Sequence, residues 1–535
     1  MRELTIEKIA EICNGKFYKG DKTQNQEISS ITTDSRKIEN DCMFVAIKGE
    51  RADGNKFIAK AYEDGALVCL SENEPDANDV TVSENKGYIV VKSCFQALKD
   101  IAEFYREVMQ TKIVGITGSV GKTSTKEMLA SVMSEKFNTL KTQGNFNNEV
   151  GVPLTLFRLR EEHELAIVEM GISDFGEMSR LGKIVKPDMC VITNIGQCHL
   201  ENLGDRDGVL KAKTEIFNFL KEGGKAFLNG DDDKLATVKE VNGLKPVFFG
   251  FDKKNDVYAT DVDTKGLAGT SFTAVTPNGK MKIRVNVPGH HMVSNALAAV
   301  AIGLELGLNE KQIAAGVAAF KPVSGHSSIV ETKHFTIMDD CYNANPVSTK
   351  AGIDVLIQTD ERKVAILGDM FELGADERKM HYEVGEYAAK KGIDCIICAG
   401  ELAKEYYDGA KAAGKKENLY YFPSRDEAIE NLKDIVKENE NLKKQLSYAN
   451  NTAVVANAGV DVKFQKFVLS EVNDMKGEFE DNLKSYLKDN PQYLLNKDEN
   501  KGETTGVSQN GTNKPVSDAQ AYLDKKYAKN PYYKK

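Results

Sequence analysis

At 535 residues with 41% hydrophobic positions, the chain has length for about three domains, each with its own core. A net charge of −9 without a long basic block argues against nucleic acid as a partner. No apolar run nears the ~20 residues of a membrane span, the opening Met1-Arg-Glu-Leu-Thr-Ile-Glu7 is not a signal peptide, and nine scattered cysteines suit a reducing compartment.

Residues 1–107 alternate short strand-like runs, at 43–47, 66–70 and 88–91, with helical stretches, which predicts a small α/β domain. Next comes Lys112-Ile-Val-Gly-Ile-Thr-Gly-Ser-Val-Gly-Lys-Thr-Ser-Thr125, an apolar run, a glycine-rich turn and Lys-Thr opening a predicted helix over 123–135. Gly118 and Gly121 carry no Cβ, so backbone N–H groups can close around phosphate oxygens. Lys122 supplies a point charge to the β/γ-phosphates, and the Thr123 hydroxyl can reach Mg²⁺. The helix aims its positive end at the anion. Thr117, Gly118, Ser119, Val120, Gly121, Lys122, Thr123 and Ser124 are therefore the candidate nucleotide-binding residues. Ile116 stands where the full Walker pattern has glycine, leaving the shorter Thr-Gly-x-x-Gly-Lys-Thr form. The plainer alternative is a glycine turn in an ordinary βα unit. The run 113–117, which reads as a buried parallel strand, argues against it.

Nearly continuous apolar runs at 165–170 and 189–194 predict further parallel strands of a domain over 108–318. From 247 to 287 alternating runs with a Pro277-Asn-Gly279 turn suggest an antiparallel insert, and a helix over 292–306 closes the domain. Residues 319–475 return to strand–helix rhythm: strands at 334–338, 363–367, 394–399, 419–422 and 452–456, helices at 376–391 and 424–438. This predicts a Rossmann-like, doubly wound sheet. Cys395-Ile-Ile-Cys398 lies inside one of these runs and reads as core packing rather than a redox or metal motif. Residues 476–535, polar and poor in aliphatics beyond about 488, are expected to be a flexible tail with one short helix at 518–527.

Glu169 ends a parallel strand, at the carboxyl edge where such folds bind ligands, and is a candidate Mg²⁺ ligand beside Thr123. His199 follows the next strand and would project to the same edge. Lys213, in Lys211-Ala-Lys-Thr-Glu-Ile-Phe217, reads from spacing alone as a solvated helix lysine.

Five segments together resemble the Mur ligase family. They are Thr33-Asp-Ser-Arg36 with Asp53-Gly54; the phosphate loop; Gly144-Asn-Phe-Asn-Asn-Glu-Val-Gly-Val-Pro153; Glu169-Met-Gly171 with Thr193-Asn194 and His199-Leu-Glu-Asn202; and Asp339-Asp-Cys-Tyr-Asn-Ala-Asn-Pro346 followed by Leu367-Gly-Asp-Met370 and Glu372-Leu-Gly374. The resemblance implies three α/β domains: 1–107 for a UDP-sugar, 108–318 for ATP, and 319–475 as the C-terminal ligase domain. It implies an ATP-dependent amide ligase of peptidoglycan precursor synthesis, a cytoplasmic monomer. Its substrates would be UDP-N-acetylmuramoyl-tripeptide and D-alanyl-D-alanine. Ser35 and Arg36 would contact uridine; Asn145, Asn147 and Asn148 the diphosphate and sugar; Asn343 and Asn345 also the substrate. Thr123 and Glu169 would bind one Mg²⁺. His199 would bind a second, bridged by Lys213 once its amine is carbamylated, so that Lys122, His199 and Lys213 form the catalytic set. Asn295 would meet adenine and Asp340 the ribose.

The chain departs from the family pattern at four places. Val120 and Met292 stand where Asn is usual, His326 where Arg is usual, and Val455-Ala-Asn-Ala-Gly-Val-Asp-Val462 lacks the usual basic loop. A neutral His cannot make the bidentate fork of Arg. Two readings therefore stay open beside the active ligase: a sister ligase with another acceptor, and a paralogue that binds nucleotide and substrate without turnover.

Overall fold

The apolar runs near the N-terminus form short strands: β1 (Lys16–Tyr18), β2 (Ile31–Thr32), β3 (Met43–Val45), β4 (Val68–Ser71) and β5 (Gly87–Val90). They make one sheet in the order β1-β5-β4-β3-β2, parallel except for β1 against β5. This computed structural model describes residues 1–18, 25–49, 52–75 and 85–495, with backbone alone at 434–444 and 446. The helix Cys94–Met109, capped by Ser93, leads out of the sheet and buries Leu98, Ile101 and Tyr105. Arg106 on it is 1% exposed and donates to the Val185 carbonyl and to Asp188 at 2.8 and 3.2 Å, which ties the first domain to the second.

The central sheet has nine strands: β6 (Lys112–Thr117), β7 (Thr139–Lys141), β8 (Leu165–Glu169), β9 (Met189–Ile192), β10 (Lys225–Asn229), β11 (Val247–Gly250), β12 (Val257–Thr264), β13 (Thr270–Thr276) and β14 (Gly279–Val285), in the order β14-β13-β12-β11-β10-β9-β6-β8-β7. From β7 to β12 neighbours run parallel; only β12, β13 and β14 pair antiparallel. The expected antiparallel insert is thus smaller than its sequence texture suggested, and it continues the edge of the main sheet. β6 and β8 alternate between two cores, as strands covered on both faces must. Val114, Ile116, Leu165 and Ile167 face the helices Lys122–Met133 and His290–Glu305, whereas Ile113, Ala166 and Val168 face Met178, Leu181 and Val185 of the helix Glu177–Val185.

Beyond the central sheet, β15 (Ser328–Glu331) and β16 (Thr336–Asp339) form a hairpin, and β17 (Val364–Gly368) lies beside β18 (Cys395–Ala399); β19 (Leu419–Phe422) is the last strand among the described residues. Cys395 and Cys398 are buried in β18, and burial pushes the Cys398 thiol up to about 12, consistent with packing. The described chain divides into two compact units: Met1–Cys398 with Glu405–Leu419, and Ala399–Lys404 with the chain from Tyr420.

Two expectations for the second unit are corrected. Residues 452–456 are not a strand but the last turns of a 33-residue helix, Arg425–Asn457. Ser424 caps it, no Gly or Pro interrupts it, and Val455 packs with Val468, Leu469 and Val472 rather than in a sheet. The start of the expected flexible tail is instead the helix Phe479–Asp489, whose Leu483 and Leu487 are buried in the same small core. The helix expected at 518–527 lies outside the described residues. No helix among the described residues is long and apolar enough to cross a membrane.

Candidate active site

β6 delivers the chain into a tight loop at the carboxyl edge of the sheet. Gly118 (φ 144°) and Gly121 (φ 81°) take conformations that side chains rarely adopt. A Cβ on Gly118 would lie 2.0 Å from Thr193 Oγ1. The loop is clamped through its backbone: Val120 N–H donates to Asn194 Oδ1 at 2.9 Å, and the Val120 carbonyl accepts from Thr193 Oγ1 and Asn194 Nδ2. Val120 thus takes part through main-chain atoms, which any side chain at this position would supply. Lys122 curls over the loop and donates to the Gly118 and Ser119 carbonyls at 2.9 and 3.3 Å. The helix Lys122–Met133 has no side-chain cap at Gly121, so its first N–H groups, Ser124 among them, are open to an anion. The Thr117 hydroxyl is buried without a protein partner at the end of β6, leaving it available to a water, an ion or a ligand group.

Glu169, at the end of β8, is 1% exposed. A buried carboxylate needs partners, and three converge on it. The Thr123 hydroxyl sits 3.1 and 3.2 Å from its two oxygens, Asn147 Nδ2 donates at 2.9 Å, and Lys126 Nζ lies 3.5 Å away. Thr123, Glu169 and Asn147, separate in sequence, are thus one cluster at the mouth of the loop. Lys126 escaped the sequence reading. It is fully buried, also pairs with Glu127 at 3.3 Å, and donates to the Gly144 carbonyl at 3.4 Å. The available signal was its place one turn after Lys122 on the same helix face.

His199 follows β9 in a left-handed conformation. Burial depresses its pKa, opposed by the adjacent Glu372 carboxylate and aided by Lys213 and Lys122, so the neutral imidazole is favoured. Lys213 is 1% exposed, not the solvated lysine its spacing suggested. Burial lowers its pKa to about 8, with Lys122 pushing the same way and Cys198 and Glu177 opposing.

The remaining candidates are more dispersed. Asn295 is buried under the loop helix, where its Oδ1 accepts from Thr125 at 3.1 Å and its Nδ2 lies 3.6 Å from Met292 Sδ. Its Oδ1 also lies 3.5 Å from where a Gly121 Cβ would be. Asp340 Oδ1 accepts from Ser327 N and Oγ at 2.8 and 3.0 Å. Ser35 and Arg36 occupy a short 3-10 turn in the first domain, with Arg36 paired to Asp34 at 2.9 Å. Asn148 accepts from the N–H groups of Val150 and Gly151, and Asn145 lies exposed in the same loop. Asn345 caps the helix Pro346–Leu356 by accepting from Val347 and Ser348 N–H at 3.0 Å, while Asn343 accepts from Ala344 N–H. His326 stacks on Tyr342 with ring centroids 4.5 Å apart.

Three family descriptions match in chain order: "Mur ligase family, catalytic domain" over 27–106, "Mur ligase middle domain" over 116–303 and "Mur ligase, glutamate ligase domain" over 327–442. The UDP-N-acetylmuramoyl-tripeptide–D-alanyl-D-alanine ligase of Escherichia coli is 35% identical over 82% of this chain and 94% of its own length. The enzyme of that name from Bacillus subtilis is 33% identical, over 81% and 93%. Among solved structures, MurF from Acinetobacter baumannii matches with a TM-score of 0.73 at 34% identity, covering 82% of this chain and 93% of that one. MurF ligase from Thermotoga maritima in complex with ADP matches with a TM-score of 0.64 at 27% identity, over 77% and 98%.

Proposed function

Because the chain belongs to the Mur ligase family, we propose that it is the ATP-dependent ligase that joins D-alanyl-D-alanine to the tripeptide carboxylate of UDP-N-acetylmuramoyl-tripeptide. The observation that carries this reading most is the cluster of Thr123 and Asn147 on the buried Glu169, at a glycine loop with an uncapped helix start.

In this reading residues 1–107 hold the nucleotide sugar, 108–318 hold ATP, and 319–475 bring the acceptor, in a cytoplasmic monomer. The donor set fits a hard divalent cation. Thr123 and Glu169 offer oxygen, the orphaned Thr117 hydroxyl ends the neighbouring strand β6, and neutral His199 with a carbamylated Lys213 would hold a second ion. Bound there, such ions supply charge neutralisation between the approaching anions. The chain's own residues do the rest. The backbone from Gly118 to Ser124 cradles the phosphates, and Lys122 leaves its loop carbonyls to balance charge on the transferring phosphoryl group. The tripeptide carboxylate attacks the γ-phosphorus and ADP departs, giving an acyl phosphate. The neutral amine of D-alanyl-D-alanine then attacks the acyl carbon, and phosphate leaves with the former carboxylate oxygen. Asn147, Asn148 and Asn145 orient the donor; Asn295 and Asp340 flank the nucleoside.

Incubation with ATP, Mg²⁺, the tripeptide nucleotide and D-alanyl-D-alanine should release one phosphate per ligated product, read by phosphate release and product mass. Lys122→Ala should abolish turnover. Tight binding of the nucleotide sugar without product would instead favour a paralogue that lacks turnover, the outcome to which His326 and the 455–462 segment would point.

A further inference from the structure

His199 opens the short helix Leu200–Leu203 with φ 51°, and a carboxylate from far along the chain meets its ring. Glu372 Oε2 lies 2.6 Å from His199 Nδ1. An ionised carboxylate only accepts, so the ring proton sits on Nδ1 and the bare lone pair on Nε2. A carboxylate on one ring nitrogen is how ligating histidines are commonly held for a metal on the other.

The loop that carries Glu372 is itself held at both ends. Met370 and Leu373, on either side, are 0% and 2% exposed. Met370 N–H donates to His381 Nε2 at 2.9 Å, and His381 Nδ1 donates to the Glu377 carbonyl at 2.7 Å. Gly374, at φ 70°, lies against the backbone of Leu200 and Glu201. Glu372 itself has φ 61°, and its side chain is 58% exposed. The loop is thus pinned by its neighbours, while the carboxylate contributes little to burial.

The geometry points to Glu372 as a positioning residue for His199: the loop 369–376 sets the tautomer and direction of the imidazole, so the ligand site is complete only when that loop is seated on Leu200–Leu203. This rests on the reading of His199 as a cation ligand.

The test is binding of the second Mn²⁺, the His199-side ion, to ADP-loaded protein whose Thr123–Glu169 site is already filled by one equivalent, followed by electron paramagnetic resonance, in wild type, Glu372→Ala, Glu372→Gln and His199→Ala. Glu372→Ala should weaken Mn²⁺ about tenfold or more, with the thermal midpoint and the metal-free ADP affinity unchanged. Nitrogen-15 spectra of labelled histidine should show His199 shifting its proton toward Nε2. Glu372→Gln, whose amide oxygen still accepts from Nδ1, should keep the tautomer and bind Mn²⁺ with intermediate strength. Unchanged or tighter Mn²⁺ binding in Glu372→Ala, or an unchanged tautomer, overturns the positioning role while leaving the ligase reading intact. Wild-type affinity for this second Mn²⁺ in His199→Ala would remove the ligand assignment, and the positioning role with it.

Discussion

Two lysines separate what spacing can say from what packing decides. Lys126 and Lys213 each sit in a polar-looking helical stretch, yet both are buried. Lys126 is the cation between Glu169 and Glu127, and Glu127 is shared with Lys141. Removing one partner of a buried ion pair leaves an uncompensated charge. Lys126→Met should therefore cost about 3 kcal/mol or more, seen as a lower urea midpoint; a midpoint within error of wild type would mean the pair is not buried in solution. At Lys213 burial has a chemical consequence. Its ordinary value is ~10.4, but burial lowers it to about 8, so the neutral amine, the form a carbamate would need, accumulates as pH rises through 8. With ¹³C-bicarbonate, a carbamate signal should grow between about pH 7 and 9 and be missing in Lys213→Ala. No signal at the upper end would reject the carbamate. Neither burial was legible in the sequence, because a lysine's neighbours across a fold do not appear in its local pattern.

At the scale of elements, period and punctuation carried most of the fold. The run ahead of the phosphate loop, the strand ending at Glu169 and the helix after Gly121 lie where their residues place them. The segment Thr452-Ala-Val-Val-Ala456 shows the limit. Its β-branched residues suit a strand, but an uninterrupted helix entering from Ser424 and apolar partners on later helices outweigh that propensity. Asn345 shows a second limit: a residue in a substrate-like motif can also be structural. Its oxygen satisfies two N–H groups at the start of the helix Pro346–Leu356. Asn345→Ala should then lose about 1 kcal/mol of stability, read as a lower thermal midpoint. If KM for the nucleotide sugar stays unchanged, capping is its whole role; a several-fold rise in KM adds substrate contact.

Over the whole molecule, the elements of the ligase reading lie in the first compact unit: the phosphate loop, the Glu169 cluster, His199 with Glu372, Lys213 and Asp340. The second unit has its own small core of Val455, Val468, Leu469, Leu483 and Leu487. What joins the first unit's parts into one site is long-range pairing. β6, β8 and β9 end at one edge of the sheet, and loops from residues 144–148 and 369–376 reach Glu169 and His199. The ordered motifs made the chemistry legible as a set; the hydrogen-bond partners within that set became visible only in three dimensions. The chemistry is tested most directly by the fate of one oxygen atom. With UDP-N-acetylmuramoyl-tripeptide labelled with ¹⁸O in the terminal carboxylate, each phosphate released on ligation should carry one ¹⁸O, with the other retained in the new amide. Unlabelled phosphate, formed while product accumulates, would contradict an acyl phosphate at this site.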